Sequence, residues 1–306
     1  MFSYRHAFHA GNHADVLKHT VLIAVLDYLL QKETALTVFD THAGAGLYRL
    51  DGDYAGTSGE AAEGILRLVA RSQAANAAAD VAELAPALAR YLDVVRAFNA
   101  PGGELRIYPG SPFIAHHLLR PQDRLKLCEL HPTDARVLQA NVGQLGADRR
   151  ITARREDGFS CTSRFLPPPG RRALVLCDPS YEIKTDYART AHFIAEALRR
   201  FATGCYVIWY PIIPRPEAHA LPRRLKTLAN QAGRSWLQAT LTVKTGRHHT
   251  ALAIGERSSG LPASGVFLIN PPYTLKPQLA AALPQLVRLL GQDRSASFVL
   301  DGSASA

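Results

Sequence analysis

One short apolar stretch constrains the fold of this chain more than any other. Residues 173–177 are apolar and too few to form a helix, and they run directly into the sequence Asp-Pro-Ser-Tyr at positions 178–181. Such a run is typical of a buried parallel strand, and parallel sheets occur almost only in α/β proteins. Open α/β sheets bind ligands at the carboxyl ends of their strands. The stretch therefore predicts an α/β fold with a functional loop at Asp178.

The composition favours a nucleic-acid partner. The chain has 306 residues, a formal net charge of +9 and 47% hydrophobic residues, which is ample for a core. Arginine pairs recur through the C-terminal half, at positions 149–150, 154–155, 171–172, 199–200 and 223–224. Clustered positive charge attracts polyanions, so the balance of charge predicts binding to nucleic acid.

The cysteines and the N-terminus indicate a cytoplasmic protein. The four cysteines lie far apart and form no C-x-x-C pair, which argues against a zinc ribbon and against a disulfide framework. The first residues lack the apolar core of a signal peptide, and the longest early apolar run is too short to span a bilayer. We therefore expect a reducing compartment and no membrane partner.

An unusual basic and aromatic arm precedes the first regular pattern. Residues 1–13 include Tyr4, Arg5 and His6, the mixture that neutralises phosphate and stacks on bases. Histidine spacings in this arm could suit a metal, but only one acid and no cysteine lie nearby, so we expect no metal site. Helical spacing of apolar residues then predicts a helix over about residues 12–31.

A glycine loop follows the first predicted strand, residues 36–40. Gly44 and Gly46 would let backbone N–H groups approach a nucleotide closely. Arg49 stands where the dinucleotide fingerprint needs a third glycine, so an NAD enzyme is disfavoured. A shortened loop fits S-adenosylmethionine, which has no pyrophosphate, although a tight strand-to-helix turn would use the same residues.

Two later strands also lead into acids. Glu129 ends a predicted strand over residues 125–129, where it could accept hydrogen bonds from ribose hydroxyls or simply be an exposed acid. A short strand over residues 150–155 precedes Asp157 and Gly158. Asp157 could accept from an adenine amino group, although an Asp-Gly pair is equally a common turn.

The order of these elements predicts one sheet with an insertion. Residues 1–50 hold the arm, the first helix and the first strand, the alanine-rich residues 51–105 form an inserted helical subdomain, and residues 106–306 complete the domain. Seven strands are expected, the last two an antiparallel pair near residues 235–244 and 263–270.

The strand count also distinguishes two copies of a motif in which Asp or Asn is followed by Pro, any residue and Tyr. Asp178 follows the fourth strand, beside the strand that carries the glycine loop, whereas the second copy, Asn270-Pro271-Pro272-Tyr273, ends the seventh strand at the far side. A strand-ending turn explains either copy taken alone. We assign the functional copy to Asp178.

Taken together, these segments resemble the bacterial large-subunit ribosomal RNA adenine-N6 methyltransferases of the RlmJ type. The segments SYRHAFHAGNHADVLKH, DTHAGAG, YPGSP, CELHP, EDGF, DPSYEIKTDY and FATGCYVIWYP occur in the family's order over nearly the whole chain. The resemblance implies a Rossmann-like, S-adenosylmethionine-dependent methyltransferase fold. It also implies methyl transfer to the N6 amine of one adenine of 23S ribosomal RNA, adenine 2030, during ribosome biogenesis.

The resemblance also implies roles for individual residues. Asp178, with Pro179 and Tyr181, would be catalytic, and Tyr4 would contact the RNA, where the composition of the arm adds Arg5 and His6. The residues implied at the cofactor are Lys18, His19, His42, Gly44, Gly46, Ser111, Glu129, Asp157, Gly158 and Asp178. Ser180 departs from the family motif, which has a second proline at this position.

The implied mechanism is direct displacement on the methyl group. Hydrogen bonds from the adenine amine to Asp178 and to the Pro179 carbonyl would localise its lone pair, and Tyr181 would stack on the extruded base. A DNA adenine methyltransferase would use the same site, but we find no target-recognition region. A non-catalytic RNA-binding protein would explain the charge but not the glycine loop and the acids. We expect free 23S ribosomal RNA, or an early assembly intermediate, as the partner and no obligate protein partner.

Overall fold

The chain folds around a mixed eight-stranded sheet. The structure, a computed structural model, describes residues 9–51, 59–77, 83–146, 149–245 and 260–303. Its strands are β1 Thr37–Asp40, β2 Leu47–Arg49, β3 Ile107–Pro109, β4 Arg124–Cys128, β5 Ile151–Arg154, β6 Ala173–Cys177, β7 Cys205–Ile212, β8 Trp236–Thr242, β9 Ala263–Ile269 and β10 Ser297–Gly302. Its helices are α1 His13–Leu29, α2 Glu60–Glu63, α3 Ile65–Ala77, α4 Pro86–Arg96, α5 Ser111–Leu118, α6 Pro132–Gly143, α7 Gly158–Phe165, α8 Thr185–Arg200, α9 Pro216–Gln231 and α10 Leu275–Leu290.

The strand order creates a crevice at the centre of the sheet. The order is β10-β8-β9-β7-β6-β1-β4-β5, in which β5, β4, β1, β6 and β7 run parallel and β9 is antiparallel to both β7 and β8. Along the chain, β4 and β5 are added on one side of β1, and β6 and β7 are then added on the other side. Such a reversal of strand order opens a ligand crevice at the carboxyl ends of the strands. The α/β class, the parallel strands and the antiparallel pair are confirmed. Strand β10 adds an eighth strand to the seven that we predicted.

Helices cover both faces of the sheet because the parallel strands are apolar on both sides. Along β6, Leu174 and Leu176 pack into one apolar cluster, and Val175 and Cys177 pack into the other. The first cluster includes residues of α1, α4, α5 and α10, and the second includes residues of α7, α8 and α9. Helix α1 is buried continuously from His13 to Leu26, so it passes through the interior and brings its polar side chains close to the crevice.

The segment between β1 and β4 begins and ends in a small two-stranded antiparallel sheet. Strands β2 and β3 pair antiparallel, with Tyr48 opposite Tyr108, so the chain leaves and returns at adjacent points. Helices α3 and α4 place Ile65, Leu68 and Tyr91 in the same apolar cluster as α1. The division into residues 1–50, 51–105 and 106–306 stays a prediction.

All four cysteines are buried, and none of them forms a disulfide. Across the described ranges, no helix is both long enough and apolar enough to cross a membrane.

Replacing Asn270 with Ala is expected to destabilise the protein without affecting the crevice. Asn270 follows antiparallel β9, at the opposite end of the sheet from Asp178, and its amide donates to the carbonyls of Ala202 at 2.8 Å and Gly204 at 2.7 Å. Its φ of 55° is in the left-handed region, which Asn tolerates better than Ala. We expect the free energy of unfolding to fall by about 2 to 3 kcal/mol in urea titrations, with cofactor affinity unchanged. A loss of cofactor affinity in the folded variant would contradict this assignment.

Candidate active site

The crevice gathers acids that end separate strands. Asp40 is the last residue of β1, Glu129 follows β4, Asp157 follows β5 and Asp178 follows β6. Because the carboxyl ends of parallel strands meet at one edge of the sheet, all four lie at this edge, and Glu129, Asp157 and Asp178 line one cleft. The predicted residues that line the cleft are Lys18, His19, His42, Gly44, Ser111, Glu129, Asp157, Gly158, Asp178 and Pro179.

Glu129 is held against the glycine loop by two backbone hydrogen bonds. The Gly44 N–H donates to one carboxylate oxygen at 2.8 Å, and the His131 N–H donates to the other at 2.7 Å. Gly44 has a φ of 61°, a conformation that favours glycine. Burial raises the pKa of Glu129. Each bonded carboxylate oxygen retains acceptor capacity, so Glu129 is oriented to accept hydrogen bonds from a ligand hydroxyl.

Asp157 and Gly158, which also line the cleft, stand at the start of helix α7. Asp157 caps the helix by accepting from the Ser160 N–H at 2.9 Å, and its second oxygen pairs with Arg189. Burial alone would raise the pKa of Asp157, but these two partners hold it below its ordinary value. A Cβ at Gly158 would lie 1.8 Å from the Thr41 carbonyl oxygen, so only glycine allows α7 to approach the loop after β1. The Asp-Gly pair is therefore a helix start.

Lys18 lies between two buried carboxylates. Its ammonium pairs with Asp178 and, at 2.8 Å, with Asp15 one turn earlier on α1. The side chains are 4%, 12% and 2% exposed for Lys18, Asp178 and Asp15, so water screens the three charges little. Burial would lower the pKa of Lys18, but the two carboxylates raise it well above the ordinary value. Lys18 is therefore charged at neutral pH, and its contact with Asp178 Oδ2 fixes the orientation of that carboxylate.

Two histidines lie on the cleft wall in different environments. His19 Nδ1 lies 2.7 Å from the Tyr108 hydroxyl, which in turn lies 3.1 Å from the Tyr91 hydroxyl of α4. His42 contacts the edge of the Phe159 ring, and burial lowers the pKa of His42 to about 4. His42 is therefore neutral at physiological pH, and one of its two ring nitrogens, Nδ1, already lies 2.7 Å from the Thr41 hydroxyl.

Asp40 is a buried acid that the sequence analysis did not assign to the site. Its carboxylate accepts from the Ser111 hydroxyl at 2.6 Å. Burial raises the pKa of Asp40 to about 7, the Ser111 hydrogen bond opposes that shift, and the charge of Asp178 adds to it. Its position at the end of β1 was the available signal, because strand-ending acids had already identified Glu129 and Asp178.

Replacing Asp40 with Asn is expected to remove a pH dependence of stability. The ordinary pKa is 3.8 and the folded value is about 7, so between these values the folded state binds one more proton than the unfolded state. This stabilisation is present below about pH 4 and is lost as pH rises through about 7. Asn cannot ionise, so its free energy of unfolding should not fall in this way. The difference in free energy of unfolding between Asp40→Asn and the parent protein should therefore favour the variant by about 2 to 4 kcal/mol more at pH 8 than at pH 4. Urea titrations at both pH values test this, with exposed Asp51→Asn as the control; an unchanged pH slope would contradict it.

Tyr181 does not face the cleft. Its side chain is 1% exposed, and its hydroxyl donates to the Trp209 carbonyl at 2.9 Å. Its ring packs against Tyr187 with a centroid distance of 4.6 Å. In this arrangement the ring has no exposed face on which a base could stack, contrary to the predicted role, because side chains from α8 and β7 cover it.

Gly46 also lies outside the cleft lining. Its φ is 84°, and a Cβ there would come within 2.8 Å of the Phe113 ring and 3.0 Å of Leu138. Its carbonyl accepts from the Gly110 N–H at 2.8 Å. Gly46 therefore allows α5 and α6 to pack against the loop, and its predicted contact with a cofactor stays a prediction.

Three predicted residues lie outside the described part of the chain, and two residues that pair with site residues were not predicted. Tyr4, Arg5 and His6, which we expect to contact RNA, lie outside the described residues. Sequence reasoning missed Asp15 and Arg189, which pair with Lys18 and Asp157. Asp15 had a detectable signal, since an acid three residues before Lys18 lies on the same helix face. Arg189 had none, because it belongs to a separate helix.

The fold and the cleft define the class of protein. A parallel sheet with an antiparallel end, a glycine loop after β1 and acids at successive strand ends make a Rossmann-like methyltransferase fold. A family model described as "Ribosomal RNA large subunit methyltransferase D, RlmJ" matches residues 33–300. The chain belongs to this family of large-subunit ribosomal RNA methyltransferases.

Individual relatives agree with this assignment. The chain is similar to "Ribosomal RNA large subunit methyltransferase J" of Haemophilus influenzae, with 40% identity over 301 residues that cover 98% of both chains. It is also similar to the protein of the same name from Escherichia coli K12, with 43% identity over 286 residues that cover 94% of this chain and 93% of the relative. A crystal structure of a Legionella pneumophila protein has a TM-score of 0.79 and 31% identity, and the match covers 97% of this chain and 99% of that one.

Proposed function

We propose that this chain transfers a methyl group from S-adenosylmethionine to the N6 amine of one adenine in 23S ribosomal RNA, adenine 2030 by resemblance. The reaction would take place in the cytoplasm during ribosome biogenesis. The single observation that carries the proposal is the position of Asp178. It follows β6 beside β1, it lines the cleft next to Pro179, and a charged lysine orients it.

The residues of the cleft fit S-adenosylmethionine by their chemistry. Glu129 is held by backbone N–H groups and can accept from ribose hydroxyls, and Asp157 can accept from an adenine amino group. Neutral His42 adds a hydrogen-bonding group without placing a second positive charge beside a sulfonium. When bound, the cofactor supplies an electrophilic methyl group on that sulfonium.

The catalytic task of the protein is to orient a weak nucleophile. An adenine amine is weakly nucleophilic because its lone pair is delocalised into the ring. We propose that the Asp178 carboxylate accepts one N–H of this amine and the Pro179 carbonyl accepts the other, which localises the lone pair on nitrogen. Lys18 offsets the negative charge of Asp178 and holds it in place. Such positioning accounts for a large share of catalysis in group transfer.

The acceptor polymer distinguishes the proposal from its rivals. A DNA adenine methyltransferase would label DNA, and a non-catalytic RNA-binding protein would label neither polymer. We expect labelled S-adenosylmethionine to transfer its methyl group to protein-free 23S ribosomal RNA that lacks the modification, and not to a DNA copy of the same sequence. Transfer to DNA alone, or to neither polymer, would overturn the proposed function.

Free 23S ribosomal RNA, or an early assembly intermediate, is expected to be a better substrate than the mature large subunit. One domain must reach an adenine and extrude it, and ribosomal proteins and RNA tertiary structure obstruct that movement in the mature particle. Initial rates with equal concentrations of stripped RNA and intact subunits test this. Equal or faster methylation of mature subunits would contradict it.

We also propose that the N-terminal arm contacts the RNA through Tyr4, Arg5 and His6. The support is their composition, which suits phosphate and base contacts, and the position of the first described residues. His9 is within electrostatic reach of Glu182, which lines the cleft. The arm precedes helix α1, the helix that brings Lys18 and His19 to the cleft.

A further inference from the structure

One arginine on the wall of the cleft lies between two carboxylates. Arg189, on helix α8, lines the cleft and pairs with the Asp157 carboxylate at the start of α7. Another nitrogen of its guanidinium lies 3.5 Å from Asp186, which is one turn earlier on α8. The Arg189 side chain is 46% exposed, against 28% for Asp157 and 11% for Asp186. Arg189 therefore joins the starts of two helices and remains accessible from the cleft.

An aromatic ring supports the guanidinium from a third direction. The central carbon of the Arg189 guanidinium lies 4.9 Å from the centre of the Phe159 ring, a distance at which the cation attracts the ring face. Phe159 is buried, and its ring centre lies 5.0 Å from that of His42 and 5.3 Å from that of Phe193. The ring is therefore held by its own neighbours, and three partners together fix the position of the guanidinium.

A contribution to stability does not explain this arrangement. Ion pairs that are open to water add little to the free energy of unfolding. The effect of Arg189 is local, because it completes the contacts of the Asp157 carboxylate. One oxygen of that carboxylate accepts from the Ser160 N–H at 2.9 Å, and the other oxygen accepts from Arg189. Rotation of the carboxylate would break both contacts, yet each oxygen retains acceptor capacity for a ligand.

The charges around Asp157 also keep it ionised. Burial alone would raise the pKa of Asp157, but the Ser160 N–H and Arg189 hold it below its ordinary value. Two further titratable groups face it: Asp186 on α8, whose charge repels that of Asp157, and His42 in the loop after β1, whose pKa is lowered by burial to about 4. His42 is neutral, so Arg189 balances the two acids. An ionised carboxylate only accepts hydrogen bonds, whereas a protonated one can also donate.

We propose that Arg189 is a positioning residue that makes the cofactor site selective for a 6-aminopurine. The inference rests on the proposed function, because it takes Asp157 as the acceptor for the adenine amino group of the cofactor. A fixed, ionised carboxylate accepts from an amino group but repels the carbonyl oxygen of a 6-oxopurine. Arg189 acts through Asp157. It prevents both the rotation and the protonation by which that carboxylate could accommodate a 6-oxo group.

Two ligands that differ only in the purine base measure this selectivity. S-adenosylhomocysteine is the cofactor after loss of its methyl group, and S-inosylhomocysteine is its 6-oxopurine analogue. Calorimetric titration at pH 7 gives the Kd of each ligand without any methyl transfer. For the parent protein we expect the Kd of S-inosylhomocysteine to be about 100-fold higher than that of S-adenosylhomocysteine.

Replacing Arg189 with Met should reduce this selectivity. Methionine keeps an extended side chain beside Phe159 but has neither charge nor donor for Asp157. We expect the Kd of S-adenosylhomocysteine to rise about fivefold and the ratio of the two Kd values to fall to about 10. A ratio equal to that of the parent in the folded variant would overturn the proposal.

Two other variants make the experiment specific. Arg199→Met is the matched control, because Arg199 lies on the same helix but pairs with Glu196 outside the cleft lining. Its Kd values should stay within about twofold of those of the parent. Arg189→Gln keeps a donor but loses the charge, so its ratio should lie between those of the parent and Arg189→Met. If Arg189→Met fails to fold, an unchanged ratio in Arg189→Gln would overturn the proposal in its place.

The pH dependence of binding separates positioning from a general loss of structure. Without Arg189 the pKa of Asp157 should rise, since burial is then opposed by the Ser160 N–H alone. The Kd of Arg189→Met for S-adenosylhomocysteine should therefore increase more steeply from pH 7 to pH 5 than that of the parent. Equal pH profiles, with both ligands weakened by the same factor, would indicate a structural role and overturn the proposal.

The same titrations distinguish this inference from the proposed function. Failure of the parent protein to bind S-adenosylhomocysteine would reject the proposed function. A parent that binds S-adenosylhomocysteine but does not discriminate against S-inosylhomocysteine, or that discriminates no better than Arg189→Met, would reject only the role of Arg189.

Discussion

Asp178→Asn is expected to lower kcat by about 10²- to 10⁴-fold while cofactor Kd stays within about twofold. The side-chain amide has one acceptor oxygen and one NH2 group with two N–H donors, so a donor faces either the target amine or the Lys18 ammonium. The substitution preserves size and removes the charge that Lys18 balances. Single-turnover methyl transfer and calorimetric titration of the cofactor separate the two effects.

Asn270→Ala is the matched control for this experiment. It alters the second copy of the motif, Asn-Pro-Pro-Tyr at residues 270–273. There the Asn270 amide donates to backbone carbonyls at the opposite end of the sheet from Asp178. Methyl transfer by the folded Asn270→Ala protein should remain near the parent rate. Retention of kcat within tenfold by Asp178→Asn would contradict the assignment of Asp178.

Lys18→Met should lower the free energy of unfolding by about 3 to 5 kcal/mol at neutral pH. Methionine has a similar shape but leaves Asp15 and Asp178 buried without their shared cation. The folded pKa of Lys18 is raised above the ordinary 10.5, so the stabilisation is fully present below pH 10.5 and is lost only as pH rises through the folded pKa. The contribution of Lys18 to stability is therefore constant around neutral pH. Turnover should fall as well, since the Asp178 carboxylate loses its fixed orientation.

Two further variants make the lysine experiment specific. Lys18→Met combined with Asp15→Asn removes one of the unpaired charges and should recover part of the lost stability. Lys32→Met changes an exposed lysine and should alter stability by no more than about 0.5 kcal/mol. Urea titrations of all variants provide the comparison. Equal stability of Lys18→Met and Lys32→Met would contradict the buried ionic cluster.

The sequence predicted the parts of the fold that depend on local pattern. Buried parallel strands are short apolar runs, so β1, β4 and β6 could be placed, and Glu129 and Asp178 marked the edge of the sheet that forms the cleft. Helix α10 was not predicted, although leucines recur along it at helical spacing and only Pro284 interrupts the pattern. The β2–β3 pairing was missed because it joins segments about sixty residues apart.

The parts of the site that depend on tertiary packing could not be predicted. The motif identified Asp178, but the burial of Tyr181 follows from contacts with Tyr187 and Trp209, which belong to later elements. The contact of Lys18 with Asp178 spans 160 positions and has no signature in either local sequence. Glycine spacing identified a loop, but only packing distinguishes Gly44, which lines the cleft, from Gly46, which accommodates Phe113.

The most direct test of the account is the identity of the methylated nucleoside. Protein-free 23S ribosomal RNA lacking the modification is incubated with the chain and labelled S-adenosylmethionine, digested to nucleosides and separated by chromatography with mass detection. We expect a single labelled product, N6-methyladenosine, at no more than one methyl group per RNA, and its loss in Asp178→Asn. Label in a different nucleoside, or N6-methyladenosine formed equally well by Asp178→Asn, would contradict it.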